Sequence, residues 1–225
     1  MNIACLFEQS GTFKNILNSR GHNAIDIDID NMFGQTDVIT DIFKDFEYTG
    51  YFDYIEPADV VFAFFPCTWF SCQNELILNG TSHSMKNWTP EQKQDYIFKR
   101  QSERERAVGV LESLVDYCLH YGKPLIIENP AGSYIRKVLG EPTVSHKRGL
   151  YGDWYDKPTW WYLYNCCFDG NKLQRINNKR LYTIVKQPHH SDKQRKINRS
   201  LIAPEYAENF INCIMLGGGY NGQTL

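Results

Sequence analysis

Two polar motifs follow apolar runs of the sequence and contain side chains that can do chemistry. Cys67 comes just after the continuous apolar run 60–65. Glu128 ends a second apolar run, 124–128, and is followed by Asn129. A cysteine thiolate is a strong nucleophile, and a carboxyl group can hold or donate a proton beside it. The sequence therefore predicts a nucleophile and a partner carboxyl group at the ends of two neighbouring strands.

The surroundings of Cys67 decide whether it can act as a nucleophile. A free thiol has a pKa of about 8.5, so attack at neutral pH needs help from the protein. We expect helix N-termini at the cleft mouth to lower the pKa of Cys67. The alternative is a buried cysteine that packs as a small apolar residue. Taken alone, Cys67 fits the buried packing role better. The presence of Glu128 in the second motif is what favours a role as nucleophile.

A tight turn follows the first predicted strand, residues 3–7. The turn is Glu8-Gln9-Ser10-Gly11, and Gly11 lets the backbone approach a ligand closely. Neither G-x-G-x-x-G nor a G-x-x-x-x-G-K-[ST] phosphate loop occurs in the chain. The turn alone is therefore compatible with many α/β proteins.

Acidic residues after the second predicted strand, 24–29, suit a nucleoside. Asp28, or Asp30 in its place, can accept hydrogen bonds from both hydroxyls of a ribose. Asp41 can accept from an adenine amino group while Ile42 covers the ring. The alternative is a row of surface acids on an exposed edge.

Strands and helices alternate over the first 130 residues, as their hydrophobic periodicity predicts. A helix is predicted at 12–20, and a long one from Thr89, which forms a capping box with Gln92, to about Tyr121. The order predicts a doubly wound, mainly parallel α/β sheet, whose ligands bind at the carboxyl ends of the strands.

The second half of the chain has weaker periodicity. We predict an irregular or β-rich insertion at about 140–197, with one strand near 160–165, and a last helix from 204 to 216. The chain of 225 residues is predicted to be a single domain, 1–225, that contains this insertion.

Composition excludes several classes of protein. Hydrophobic residues make up 42% of the chain, which is enough for a core, and no run is long enough to span a bilayer. The N-terminus lacks the basic start of a signal peptide, so a cytoplasmic protein is expected. Seven scattered cysteines without a C-x-x-C pair predict neither disulfides nor a metal site. A metal between the pairs 166–167 and 189–190 is the less favoured alternative.

The net charge of −2 hides a polarised chain. Residues 26–59 hold ten acids and one base, whereas residues 172–199 hold nine bases and one acid. The basic stretch is either a phosphate-binding surface or a solvated loop.

Taken in order, these motifs resemble the DNA cytosine-5 methyltransferases. The resemblance covers most of residues 1–130 and returns at about 198–214. It rests on LFEQSGTF, the acid after the second strand, TDI at 40–42, PCTWFS, IIENP and NRSLIAPEYAENFI. Two runs resemble those of a compact phage-type branch of this family. They are Glu-Asn-Pro-Ala-Gly at 128–132 and Lys157-Pro158-Thr159. The resemblance implies a class I S-adenosylmethionine-dependent methyltransferase fold, which is Rossmann-like.

The resemblance also implies roles for individual residues. The catalytic pair would be Cys67, as the nucleophile, and Glu128, which holds the base. Residues implied to bind S-adenosylmethionine are Phe7, Glu8, Ser10, Gly11, Asp28, Asp41, Ile42, Pro66 and Ser200. Residues implied to bind the substrate are Ser71, Asn129, Arg175, Lys179 and Arg180.

The chain departs from the family pattern in three places. The resemblance implies that the segment at about 140–197 is either an insertion or the family's target-recognition region, and as such a region it is short. Pro130 stands where the family usually has valine, and the Gln-Arg-x-x-Arg motif is not clean. Gln174-Arg175 with Lys179-Arg180 is a badly spaced candidate, and Arg104 or Arg106 of the long helix is an alternative source of the base-side arginine.

The activity implied is transfer of a methyl group to C5 of cytosine in DNA through a covalent cysteine adduct. One alternative is an RNA or nucleotide methyltransferase of the same fold. Another is a catalytically impaired module that binds the cofactor or DNA. An α/β hydrolase is disfavoured because no G-x-S-x-G elbow occurs.

Overall fold

A computed structural model of the chain describes residues 1–49, 53–176, 201–216 and 225. The strands are β1 Asn2–Leu6, β2 Asn23–Asp28, β3 Val38–Ile39, β4 Val60–Ala63, β5 Leu125–Pro130, β6 Val144–Lys147, β7 Pro158–Tyr164, β8 Cys166–Phe168 and β9 Ile214–Leu216. The helices are α1 Thr12–Ser19, α2 Ile42–Thr49, α3 Cys72–Leu78, α4 Pro90–His120, α5 Ile135–Leu139 and α6 Pro204–Ile211.

Within the described residues, seven strands form one sheet in the order β3-β2-β1-β4-β5-β7-β6. Strands β1 to β5 run parallel to one another, and β7 runs antiparallel to both β5 and β6. The pair β8 and β9 forms a separate antiparallel ribbon. The predicted α/β class with a mainly parallel sheet is confirmed, and the topology is compatible with a Rossmann-like fold.

Successive side chains of a strand point to opposite faces of the sheet, and helices cover both faces, so residues on both sides are buried. Ala4 and Leu6 of β1 pack with the apolar stripe of α4 and with α2. Ile3 and Cys5 of the same strand pack with α1 and α6 on the other face. Continuous burial of β4 and β5 follows from this two-sided cover, as expected for central parallel strands.

Helix α4 reaches well beyond this core. It begins with the predicted capping box, in which Thr89 accepts from the backbone N–H of Gln92. The buried side chains of the helix start only at Arg104, fourteen residues further on. The first half of α4 therefore packs on α3 and on the loop before it rather than on the sheet.

In the second half of the chain, β7 confirms the strand predicted near 160–165, whereas the predicted last helix needs correction. Strands β6 and β7 lie inside the region predicted as an insertion, yet they complete the main sheet. The last helix is shorter than predicted, because α6 ends at Ile211 and β9 follows. Positions 177–197 of the predicted insertion lie outside the described residues. Within residues 1–49, 53–176 and 201–216, no helix has both the length and the apolar character needed to cross a bilayer.

Candidate active site

A cleft of about 270 Å³ opens at the carboxyl ends of β1, β2, β4 and β5. It lies where a doubly wound sheet places its ligands. Of the residues predicted from sequence, those that line the cleft are Phe7, Glu8, Ser10, Asp28, Pro66, Cys67 and Glu128. The predicted catalytic pair and much of the predicted nucleoside-binding group thus share one cavity.

Cys67, which follows β4, and Glu128, which belongs to β5, line the same cleft. Cys67 is exposed at the cleft, whereas Glu128 is 7% exposed. The two groups are close enough for the negative charge of Glu128 to raise the pKa of Cys67. The amide of Asn129 fixes this arrangement, since its Nδ2 donates to the carbonyl oxygen of Phe65 over 2.8 Å.

Although Cys67 as a whole residue is exposed, its thiol is partly desolvated in the cleft, and this desolvation is the main reason why its pKa is raised. The positive charge of Lys157, which also lines the cleft, acts in the opposite direction and favours the thiolate. The net shift is therefore opposite to the predicted lowering of the pKa, since desolvation outweighs the favourable charge of Lys157. Sequence reasoning did not assign Lys157 to the site.

Arg148 is a site residue that sequence reasoning missed. It is fully buried, and its Nη1 lies 3.7 Å from Glu128 Oε1. Its Nε lies 2.7 Å from Asp153 Oδ2, so one guanidinium stands between two carboxylates. No motif spacing marks Arg148, because it reaches Glu128 only through the antiparallel pairing of β6 with β7 and of β7 with β5.

Asp153 extends this network to the far end of the chain. Its Oδ1 accepts from the backbone N–H groups of Trp154, at 2.7 Å, and Ala203, at 3.1 Å. The neighbouring Leu201 and Ile202 line the cleft. The segment that begins the last family-like motif is thereby tied to the cleft, although Ser200 itself lies outside the described residues.

The turn after β1 has an unusual backbone. Phe7, Gln9 and Gly11 all have positive φ, at 61°, 56° and 64°. The carboxylate of Glu8 turns inward and caps α1, accepting from the N–H groups of Phe13, at 2.5 Å, and Lys14, at 3.2 Å. Burial raises the pKa of Glu8 to about 8. By capping α1, Glu8 therefore holds the turn in its shape, and part of the same residue lines the cleft.

Asp28 is the better of the two ribose candidates. It lines the cleft and is 4% exposed, whereas Asp30 is exposed and does not line it. Its Oδ1 accepts from the backbone N–H of Asp30, at 2.8 Å, and from Gln9, at 3.4 Å. Burial raises the pKa of Asp28 above its usual range.

Four predicted ligand-binding residues have structural contacts away from the cleft lining. Asp41 caps α2, since its Oδ1 accepts from the N–H groups at 43 and 44. Ile42 is 2% exposed and packs in the core. Ser71 caps α3 through the N–H of Asn74. Gly11 supplies the left-handed residue before α1.

The predicted basic contacts are also placed elsewhere. Arg104 turns toward the loop after β4, Arg106 pairs with Glu47 on the surface, and neither lines the cleft. Arg175 is exposed and does not line the cleft. The remaining substrate candidates, Lys179 and Arg180, lie outside the described residues.

A comparison of the chain with models of protein families gives no match, and a comparison with curated proteins gives none either. Among the described residues, no three His, Cys, Asp or Glu side chains cluster closely enough to hold a metal ion. The chemistry of the cleft must therefore be argued from its own side chains.

Proposed function

We propose that this chain is an S-adenosylmethionine-dependent methyltransferase that acts on C5 of cytosine in DNA. The observation that carries the proposal is the meeting of Cys67 and Glu128 in one cleft. The turn after β1 and Asp28 line the same cleft, next to the catalytic pair. The seven-stranded order, with its single reversed strand β7, is compatible with the class I methyltransferase fold that the sequence resemblance implies.

The residues of the cleft fit the cofactor chemically. The buried carboxylate of Asp28 suits the two hydroxyls of a ribose, and the rings of Phe7 and Phe33 offer an apolar wall. The left-handed backbone at Phe7 and Gln9 bends the chain sharply around this space. When bound, S-adenosylmethionine would supply an electrophilic methyl group, which C5 of the base accepts.

Cys67 would activate the base by covalent addition. Its thiolate forms a bond to C6 of cytosine, and the electron pair of the C5–C6 double bond becomes available at C5. After C5 has gained the methyl group, the C5 proton is released to solvent water. The C5–C6 double bond then re-forms as the Cys67–C6 bond breaks, which regenerates the thiolate.

Glu128 would hold the base edge during this addition. Its carboxyl group can accept from the exocyclic amino group and, when protonated, donate to N3, where negative charge develops. Arg148 and Asp153 lie behind it and keep the carboxyl group in place. Lys157 would favour the thiolate form of Cys67 at the moment of attack.

DNA would have to present its cytosine outside the helix. A base within a duplex is inaccessible to a thiol in a cleft, so it must flip out at a cost of a few kcal/mol. The basic residues of 172–199 are the proposed phosphate contacts, and of these only Lys172 and Arg175 lie among the described residues.

The decisive experiment follows tritium from labelled S-adenosylmethionine into cytosine-rich duplex DNA, with RNA and free nucleotides in parallel. Label in 5-methylcytosine that is lost in Cys67→Ala supports the proposal. Cys72→Ala is the matched control, because Cys72 is also exposed but begins α3 and does not line the cleft. Label only in RNA or nucleotides would overturn DNA as the substrate, and cofactor binding without transfer would indicate a non-catalytic module.

A further inference from the structure

The loop that carries the proposed nucleophile is bound by side chains of α4 that do not line the cleft. We define the nucleophile loop as residues 67–71, between β4 and α3. Its first carbonyl oxygen, that of Cys67, accepts from the N–H groups of Phe70, at 3.1 Å, and Ser71, at 2.9 Å. These bonds close a tight turn but leave the next three carbonyl groups without partners inside the loop.

Arg100 of α4 binds the second carbonyl group of the loop. Its Nη2 donates to the carbonyl oxygen of Thr68 over 2.9 Å. Its two other nitrogens are used as well, by Asn74 Oδ1 at 2.9 Å and by Glu103 Oε2 at 2.7 Å. The side chain of Arg100 is 12% exposed, so this guanidinium is largely removed from water.

Arg104, one turn further along α4, binds the third carbonyl group. Its Nε donates to the carbonyl oxygen of Trp69 over 3.1 Å, and Asn74 Nδ2 donates to the same oxygen over 2.8 Å. Its Nη2 pairs with Glu75 of α3. Arg104 is 8% exposed. Each arginine thus has a carboxylate partner, and its charge is balanced locally.

The fourth carbonyl group joins the loop to the region after β5. The backbone N–H of Tyr134 donates to the carbonyl oxygen of Phe70 over 2.6 Å. The guanidinium of Arg104 lies 4.2 Å from the centre of the Tyr134 ring. The same arginine therefore contacts both segments that flank the cleft, the one after Cys67 and the one after Glu128.

The type of residue matters in this arrangement. A guanidinium presents several N–H groups in a fixed plane, and each arginine uses two or three of them in different directions. Lysine has the charge but not this fork, so it cannot bind a loop carbonyl group, an amide and a carboxylate together. The contacts are charge-assisted and partly desolvated, which makes them stronger than surface hydrogen bonds.

We infer that Arg100 and Arg104 are positioning residues that hold the nucleophile loop so that Cys67 faces the cleft. The inference rests on the proposed function for its catalytic meaning. Neither residue lines the cleft, and the hydrogen bonds of both residues to the nucleophile loop go to its backbone. An error of about 1 Å in the position of a reacting group can cost on the order of 100-fold in rate.

The test compares Arg100→Gln, Arg104→Gln and Arg100→Lys with Arg106→Gln. Arg106 is the matched control, because it lies on the same helix but pairs with Glu47 instead of the loop. Two rates are measured for each protein: methyl transfer, and alkylation of Cys67 by iodoacetamide, followed by mass spectrometry of the Cys67 peptide. The buried Cys5 and Cys118 report unfolding in the same digest.

We expect the two rates to move in opposite directions. A released loop moves the thiol away from the cleft walls and from the charge of Glu128, which both raise its pKa, so Cys67 is alkylated at least threefold faster while methyl transfer falls about tenfold or more. Arg100→Lys should behave like Arg100→Gln, and Arg106→Gln like the parent protein. Cys5 and Cys118 should stay unreactive in all four variants.

Two results would overturn the inference. One is alkylation of Cys67 at the parent rate in both glutamine variants. The other is faster alkylation of Cys5 and Cys118 together with Cys67, which would mean that the arginines serve only general stability. If the parent protein transfers no methyl group but the alkylation rates change as expected, the proposed function fails and the positioning of the loop stands.

Discussion

The side-chain amide of Asn129 donates to the carbonyl oxygen of Phe65 across 2.8 Å, which ties the end of β5 to the end of β4. Asn129 is completely buried and directly follows Glu128. Phe65 precedes Cys67 by two residues. One hydrogen bond between neighbouring strand ends therefore sets the spacing of the proposed catalytic pair.

Replacement of Asn129 by alanine should impair both stability and catalysis. The carbonyl group of Phe65 loses its side-chain donor in a buried place, which costs about 1–3 kcal/mol of unfolding free energy. Urea denaturation measures this loss, and methyl transfer should fall at least tenfold. Asn15→Ala is the control, because the amide of Asn15 makes an exposed hydrogen bond to Gln35. A variant as stable and as active as the parent would contradict the bracing role of Asn129.

Two aspartates, one buried and one exposed, should differ sharply in their contribution to stability. Asp153 is completely buried, pairs with Arg148 and accepts from the backbone of Ala203. Its removal by Asp153→Ala leaves a buried cation with one carboxylate fewer, at a cost of about 3–5 kcal/mol. Asp156 pairs with Lys147 at 3.5 Å on the surface, with both side chains more than half exposed.

Asp156→Ala should therefore change the unfolding free energy by at most ~1 kcal/mol. The two variants remove the same chemical group from ion pairs of opposite burial, and urea denaturation compares them directly. Equal losses would show that the network behind Glu128 is no more important than a surface pair.

The sequence predicted the elements whose patterns are local. Helix α4 begins at the predicted capping box, since the cap is a contact between Thr89 and a residue three positions away. The apolar run that became β4 was recognisable because a strand covered on both faces needs no polar alternation. The two motifs at the strand ends then placed Cys67 and Glu128 together, because parallel neighbours end at the same edge.

Non-local contacts escaped prediction. Strand β6 has only four residues, and its place beside β7 depends on a reversal that the sequence does not mark. Arg148 was missed for the same reason. Asp41 and Ser71 were assigned to ligands, yet the helices that follow them use their side chains as caps. A short polar residue before a helix can accept from the N–H groups of the first turn, which have no partner within the helix, and such residues follow many strands of an α/β sheet.

Stability should fall as the pH rises from about 5 to about 8. Burial raises the pKa of Glu8 from 4.5 to about 8 and that of Asp26 from 3.8 to about 7. At a pH between the unfolded and the folded pKa of each group, the folded chain binds more protons than the unfolded chain. Lower pH within this range therefore favours the folded state. Each group contributes a slope of at most ~1.4 kcal/mol per pH unit.

Glu8→Gln should flatten this slope, since glutamine can still accept from the N–H of Phe13 but has no proton to lose. Urea midpoints measured at pH 5, 6, 7 and 8 give the slope. Glu205→Gln, in an exposed position of α6, should leave it unchanged. Stability that rises with pH in the parent protein would show that the cap keeps Glu8 ionised when folded.

Lys157 should set the pH at which Cys67 becomes reactive. Its positive charge lowers the pKa of the thiol and partly offsets the effect of burial. In Lys157→Gln this help is lost, so the pKa of Cys67 rises and the thiolate fraction at pH 8 decreases. Alkylation of Cys67 at pH 8 should slow by about three- to tenfold, because the thiolate is the form that attacks.

The full profile of alkylation rate against pH, between pH 7 and 10.5, separates this charge effect from a change in access. Loss of a charge moves the midpoint upward and leaves the rate at the alkaline plateau unchanged, because the thiolate itself attacks as before. Loss of access lowers the plateau instead. Lys147→Gln is the matched control, since Lys147 belongs to the exposed pair with Asp156 and does not line the cleft. If the midpoint in Lys157→Gln does not move, Lys157 does not lower the pKa of Cys67 and takes no part in activating the thiol.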